Sequence, residues 1–491
     1  MTDRKVLIIG LDCAPPDLVF NRWTAALPNL AGLMRRGSYG PLKSCIPAVT
    51  VPAWSCMLTG KDPGTLGCYG YRNRADYSYE KLTLATAQQI TAPRVWDVLS
   101  YRGKTVLTVG VPQTYPPSPV NGIMVSGFLT PDTSCTYTYP AELQEEISAH
   151  IGEYIIDVDN FRTDDKQQLL RRIYAMTENR FSLFAHLLRT KPWDFAMLVE
   201  MGLDRIHHGF WKHMDPRHPL HEPGSAFADA IFDYYRFVDE KVGELLSLID
   251  ADTAVLVVSD HGAQAMQGGF CINEWLLEQG LLRLNRAADE IMPLGSAGVA
   301  WGKTTAWGEG GYFGRIFLNV RDREPRGTIP PERYEQVRRR LTQQLEAIPG
   351  PDGQRLGTRV FVPQDIYRET NAIPPDLIVY FDNLRWRSIG SVGHGSLYTA
   401  GNDLGPDDAN HAENGIWILA DPAAASEFSP RGPISRSLLD IAPTVLALYG
   451  LPVPEDMQGS PLTPSRPGAE QAYSPAEEEI IKKRLRDLGY L

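Results

Sequence analysis

The sequence predicts an α/β fold: a sandwich whose mostly parallel central sheet is covered by helices on both faces and which carries an inserted smaller lobe. Three observations predict it. Short, fully apolar runs rich in β-branched residues recur along the chain, helical patterns separate them, and a stretch from about 268 to 364 changes texture to Gly- and Trp-rich loops.

The first run is Val6-Leu7-Ile8-Ile9, followed by a helical pattern from Leu27 to Arg36. Val106-Leu107-Thr108-Val109 is the next strand, and helical segments from Ala141 to His150 and from Asp164 to Arg189 make an excursion before Phe195-Ala196-Met197-Leu198-Val199. A helix from Ala226 to Ile249 leads to Ala254-Val255-Leu256-Val257-Val258. The inserted lobe contains a strand from Arg315 to Val320 and an amphipathic helix from Pro331 to Ala347. Leu377-Ile378-Val379-Tyr380 and Ile416-Trp417-Ile418-Leu419 return to the sheet pattern, and a helix from Ser435 to Tyr449 follows. Residues 1–465 read as one domain and 466–491 as a charged tail, helical from Ser474 to Leu488.

Composition narrows the function. Apolar residues at 43% and charged residues at 22% are ordinary globular values, which excludes pervasive disorder and fibrous classes. A formal charge of −11 argues against a nucleic-acid-binding surface, which needs Lys/Arg stripes. A small phosphorylated substrate is compatible, because bound cations reverse the local sign. The apolar run from Val6 to Leu11 is too short for a signal peptide or a membrane span, and no other stretch approaches a span. Six cysteines without CxxC pairs or regular spacing predict reduced thiols in a cytoplasmic protein.

The chemistry centres on Thr50, in Ile46-Pro47-Ala48-Val49-Thr50-Val51-Pro52-Ala53-Trp54-Ser55-Cys56-Met57-Leu58-Thr59-Gly60. Pro52 near a first helical position and Gly60 as terminator put the Thr50 hydroxyl at a helix N-terminus, where N–H groups and the dipole favour an anion. A threonine hydroxyl becomes a useful nucleophile when divalent metals stabilise its alkoxide. Candidate metal-holding groups are present. Asp12 follows the first strand, Asp204 and His208 are spaced to share one helix face, and Asp260-His261 ends a buried strand in Ser259-Asp260-His261-Gly262. His207 rivals His208, and His411 lies in a loop just before a strand. Asp12, Asp204 and the Asp260-His261 doublet all follow carboxyl ends of strands, the edge where ligands gather in open α/β sheets.

In these residues the chain resembles the alkaline phosphatase superfamily, and within it the type I phosphodiesterase/nucleotide pyrophosphatase branch. The resemblance runs from Val6 to about Leu462. It includes the Asp after the first strand, Thr-x-Pro followed by Thr-Gly, Asp-x-x-x-His, Asp-His-Gly and the late His, with Gly110 to Pro117 and Asp440 to Thr444 as further matching stretches. It implies that Asp204, His208 and His411 hold one divalent ion while Asp12, Asp260 and His261 hold the other, with Thr50 touching the second. The ions implied are zinc, with manganese or iron tolerated by the same donors. The implied mechanism is in-line attack by Thr50 on phosphorus and hydrolysis of a phospho-threonine intermediate.

One departure concerns substrate handling: where many relatives carry His-Gly after Thr-Gly-x-x-Pro, this chain reads Thr59-Gly60-Lys61-Asp62-Pro63-Gly64-Thr65-Leu66-Gly67. Trp54 reads as core, and Tyr69, Tyr71, Arg72 and Arg74 as a solvated loop. Sulfatases share the fold but require Cys-x-Pro-x-Arg or its serine form. Trp54 replaces that arginine, and Cys45-Ile46-Pro47-Ala48-Val49 fails the pattern too. Phosphomonoester hydrolysis, phosphonate cleavage and phosphotransfer stay open, since all would use the same metals and nucleophile. A non-catalytic binding protein is disfavoured, because every expected ligand position is filled.

Overall fold

The strand Val6–Leu11 is apolar at every position and buried at every residue, as a strand covered on both faces must be. It lies at the centre of a nine-stranded sheet ordered Arg436–Ser437, Ser38–Lys43, Asn414–Ala420, Ala254–Val258, Val6–Leu11, Phe195–Glu200, Val106–Val111, Gly122–Ser126, Thr138–Tyr139. The computed structural model describes residues 4–424 and 433–462; the helix predicted from Ser474 to Leu488 lies outside them.

Strand direction decides where the chemistry collects. Phe195–Glu200 and Ala254–Val258 flank Val6–Leu11 in parallel, and Val106–Val111 and Gly122–Ser126 extend the parallel set. Asn414–Ala420 runs antiparallel both to Ala254–Val258 and to Ser38–Lys43, so Ser38–Lys43 points the same way as the parallel strands. The ends at Leu11, Glu200, Val258 and Lys43, together with the start at Asn414, therefore share one edge of the sheet.

Two sets of helices cover the sheet. Pro28–Arg36, Lys166–Thr190, Gly202–Met214 and Ala230–Leu246 pack among themselves, and Thr50–Thr59 and Val95–Tyr101 pack against Ile441–Leu448. The predicted helix from Ser435 to Tyr449 is shorter than expected. Its first residues are extended, and helix begins only after a turn in which Asp440 accepts the Ser437 N–H at 3.0 Å and the Ser437 hydroxyl accepts the Leu439 N–H at 3.2 Å.

A second hydrophobic cluster, built on Phe270, Trp275, Trp307, Phe317, Leu341 and Leu377, surrounds a four-stranded antiparallel sheet ordered Ala306–Glu309, Gly314–Leu318, Leu377–Tyr380, Arg359–Phe361. Leu377–Tyr380 thus belongs to this sheet and not to the central one predicted for it. Its apolar run reflects burial between two other strands of the small sheet, which periodicity cannot distinguish from burial in the large one. A third cluster joins the two bodies, with Ala48, Val49 and Tyr69 packing against Tyr367, Ile378 and Tyr380. There the Tyr380 hydroxyl accepts the Ala48 N–H at 2.8 Å and the Tyr367 hydroxyl donates to the Ile46 carbonyl at 2.5 Å. Among the described residues no helix is long and apolar enough to cross a membrane. All six cysteines are free thiols.

The turn from Phe195–Glu200 into Gly202–Met214 is a close approach that only glycine permits. A Cβ on Gly202 would stand 1.8 Å from the Tyr234 hydroxyl oxygen and 2.4 Å from Glu200 Oε1, two atoms already hydrogen-bonded to each other at 2.8 Å. Gly202→Ala is expected to lower the unfolding free energy by about 1–3 kcal/mol, as overpacking in a tight core does. Urea denaturation followed by circular dichroism measures it.

Candidate active site

Thr50 opens the helix Thr50–Thr59, every residue of which is buried. Pro52 fits the first turn, where its missing N–H costs no hydrogen bond, and Gly60 ends the helix with φ 66° and its N–H on the Cys56 carbonyl at 2.8 Å. No side chain caps the N-terminal end. Ser44–Val49 carries the chain from the strand end at Lys43 to Thr50, so the hydroxyl arrives at the same edge as the other candidates.

The predicted residues converge there. Thr50 Oγ1 lies 3.3 Å from His261 Nε2, and His261 Nε2 lies 3.1 Å from Asp260 Oδ2 and 3.9 Å from Asp12 Oδ1. Asp204 sits in the first turn of Gly202–Met214; its Oδ1 is 3.4 Å from His208 Nε2 and 3.6 Å from His411 Nε2. His411 differs from expectation. It lies within a short strand, Ala409–Ala412, that pairs antiparallel with Gly262–Ala265 and sets His411 opposite Ala263. That ribbon stacks the His411 ring on His261 with centroids 3.8 Å apart. His207, the rival of His208, turns elsewhere: its Nε2 meets the Tyr235 hydroxyl at 3.3 Å.

Each histidine is held from behind. His208 Nδ1 bonds Asp407 Oδ1 at 2.6 Å, His411 Nδ1 bonds the Ala48 carbonyl at 3.0 Å, and His261 Nδ1 faces the Gly262 carbonyl at 3.2 Å. Acceptors at all three Nδ1 positions fix the rings so that their Nε2 atoms face inward. Asp12 is held likewise, with Oδ2 accepting the Trp54 indole N–H at 2.7 Å, and Asp260 Oδ1 accepts the Cys13 N–H at 3.1 Å. The remaining inward atoms, Asp12 Oδ1, Asp204 Oδ1, Asp260 Oδ2, His208 Nε2 and His411 Nε2, are buried with no hydrogen-bond partner among the described residues.

Five orphaned buried acceptors within one site fit a pair of cations and little else. Two clusters have the necessary spacing: Asp12, Asp260 and His261, and Asp204, His261 and His411. His261 is common to both; His208 belongs to neither, lying 3.4 Å from Asp204 Oδ1 with its ring centroid 5.4 Å from that of His411. The electrostatics agree. Burial and the neighbouring Asp260 push the Asp12 carboxyl well above its ordinary range. Burial alone would lower His261, but Asp260, Asp12 and Asp204 carry it up to about 9. Burial and His261 hold His411 neutral, down to about 3, as a metal ligand must be. The centre is short of positive charge.

Several participants were not legible in the sequence. Asp407 supports His208 and is itself held by Arg162 at 2.9 Å and Arg387 at 3.1 Å; its only signal was an acidic pair just before His411. Arg205 pairs with Asp204 and, at 2.7 Å, with Asp157. Trp54 is core, as expected, yet its indole also orients Asp12. The solvated-loop reading fails for Tyr69, which is buried, for Arg74, which is buried against Glu324 at 3.1 Å, and for Tyr71, whose hydroxyl donates to Thr50 Oγ1 at 3.1 Å. Arg72 is exposed as expected. Tyr71 also lines a cleft of about 810 Å³ that opens beside Thr50, with Phe128, Phe161, Trp301 and Tyr312 among its walls.

No curated protein sequence matches the chain. Among solved structures it is similar to phosphonoacetate hydrolase from Sinorhizobium meliloti 1021 in complex with phosphonoacetate, at 17% identity and a TM-score of 0.58, over 91% of this chain and 95% of that one. It is also similar to human ectonucleotide pyrophosphatase/phosphodiesterase 5, at 13% identity and a TM-score of 0.53, over 93% and 97% of the two chains. The murine form of that protein, inactive and in complex with AMP, aligns at 14% identity and a TM-score of 0.52, over 92% and 96%. These likenesses show the alkaline-phosphatase-like fold. The sequence model of the type I phosphodiesterase/nucleotide pyrophosphatase family matches residues 6–407, and the chain belongs to that family of hydrolases.

Proposed function

We propose that this protein hydrolyses phosphodiester or nucleotide pyrophosphate bonds through a phospho-threonine formed on Thr50, using two divalent ions, zinc in the first instance. Asp204, His208 and His411 hold one ion and Asp12, Asp260 and His261 the other, with Thr50 beside the second. The observation that carries this reading is the set of buried inward acceptors lacking any partner around the Thr50 hydroxyl. Borderline nitrogen and carboxylate donors in this proportion suit zinc, and manganese or iron accept the same set.

In the first step the Thr50 oxygen, its proton released to solvent, attacks phosphorus in line with the leaving oxygen; a P–O bond to Thr50 forms, the bond to the leaving group breaks and the leaving oxygen takes up a proton from solvent. Water then attacks the phospho-threonine, releasing the phosphoryl product and restoring the hydroxyl. Divalent ions held by these residues would supply positive charge to the reacting oxygens and make water a stronger acid. The uncapped helix end offers N–H groups to a phosphoryl oxygen. Trp54, Asp407 and the Ala48 carbonyl keep Asp12, His208 and His411 in place.

A diester is favoured over a simple monoester by the cleft of about 810 Å³ beside Thr50, which is large enough for a substituent such as a nucleoside. A structural relative bound to AMP is consistent with a small phosphorylated partner of this kind.

Thr50→Ala is expected to reduce turnover of bis(p-nitrophenyl) phosphate by at least about 10³-fold, with two metal equivalents retained. His208→Ala and Asp260→Asn should lose metal as well as activity, which elemental analysis of the purified variants reads directly. Near-normal rates for Thr50→Ala would overturn the covalent mechanism. Asp407→Asn should weaken metal binding about 10–100-fold by freeing the His208 ring, as measured by competition with a chromogenic chelator. Exhaustive dialysis against EDTA should lower Tm by several degrees, because Asp12, Asp204 and Asp260 lose the cations that offset their burial.

A further inference from the structure

We infer that Tyr71 is a catalytic hydrogen-bond donor, steadying the Thr50 oxygen before attack and passing to a nonbridging phosphoryl oxygen once Thr50 has bonded to phosphorus; this rests on the covalent reading of Thr50 above.

The Tyr71 hydroxyl donates to Thr50 Oγ1 at 3.1 Å, on an oxygen that also faces His261 Nε2 at 3.3 Å. Thr50 Oγ1 is the atom that must carry negative charge before attack, and a donor already in place stabilises that charge without reorganising. After the P–O bond forms, that oxygen becomes a poorly accepting ester oxygen. The best acceptors within reach are then the nonbridging oxygens one bond further on, which carry the charge that grows in the transition state. The phenol needs only a small rotation to follow it.

The backbone around Tyr71 is built to hold such a donor still. The Asn73 side chain accepts the Tyr69 N–H at 2.8 Å and donates to the Gly70 carbonyl at 3.3 Å, closing a tight turn on one side. The Tyr71 carbonyl accepts the Ala85 N–H at 2.9 Å, and the Arg315 guanidinium donates to the Arg72 carbonyl at 2.5 Å. The ring rests edge-on against Phe128, with centroids 5.8 Å apart. Fixed supports on both sides of a functional side chain are what preorganisation requires.

Three of the arginines that line the cleft are engaged by carboxylates. Arg205 is committed to Asp204 and Asp157, and Arg162 and Arg387 both reach Asp407. Tyr71 is thus the neutral side-chain donor that touches the nucleophile.

Tyr71→Phe removes the hydroxyl and keeps the ring against Phe128. With metal content unchanged, kcat/KM for bis(p-nitrophenyl) phosphate should fall about 10²-fold, in the range for loss of one transition-state donor. Separate Rp and Sp isomers of methyl p-nitrophenyl phosphorothioate supply the discriminating readout, because sulfur accepts an O–H bond poorly. The isomer that presents sulfur to Tyr71 should lose much less than the other, so the Rp/Sp rate ratio shifts between wild type and variant. Orthovanadate binding, followed by calorimetry on the zinc-loaded protein, should weaken in parallel. Rates within about twofold of wild type, or an equal loss on both isomers with vanadate affinity unchanged, would overturn the assignment. A wild type that cleaves only monoesters or phosphonates would instead overturn the diester reading. The vanadate comparison would then decide Tyr71 by itself: weaker binding by the variant supports it, and equal binding sinks it.

Discussion

Three imidazole rings around Thr50 are turned so that their Nδ1 atoms face protein oxygens and their Nε2 atoms face one another across a small buried space. The orientation matters because an imidazole free to flip would present a proton inward half the time, and an inward proton competes with any cation among these donors. Carboxylates obey the same logic: Asp12 and Asp260 each use one oxygen on a neighbouring N–H and leave the other unpaired. Such unpaired buried acceptors are costly in isolation, and become favourable only when positive charge lies among them.

That arrangement depends in turn on strand polarity. Had Ser38–Lys43 run opposite to Val6–Leu11, its end would deliver Thr50 to the far side of the sheet, remote from Asp12, Asp204 and the Asp260-His261 doublet. The antiparallel strand Asn414–Ala420 lets both neighbours point the same way, and its own start lies at the functional edge, next to the ribbon that bears His411. One reversed strand therefore serves two separate pieces of the site.

Residues whose role follows from local sequence were readable: the apolar strands, the Thr50 helix with Pro52 and Gly60, and Asp204 with His208 one turn apart all behave as their patterns require. What escaped depends on contacts distant in sequence. Leu377–Tyr380 has the composition of a central strand and joins the small sheet, because burial on both faces looks the same in either. His411 reads as a loop residue, since a two-stranded ribbon formed with Gly262–Ala265 leaves little periodic trace. Asp407 and Tyr71 lie 199 and 21 positions from the residues they contact, and nothing in their immediate neighbours marks them out.

The peptide at Ala48 has a consequence for motion. Its N–H is bonded to Tyr380 in the small antiparallel sheet and its carbonyl to His411 at the edge of the large one, while Tyr367 grips Ile46 two residues earlier. A swinging of the smaller body away from the larger would drag the segment that leads into Thr50 and unseat a histidine in the same movement. The two bodies are thus clasped together beside Thr50, and a ligand of the cleft enters past its rim with the clasp left shut.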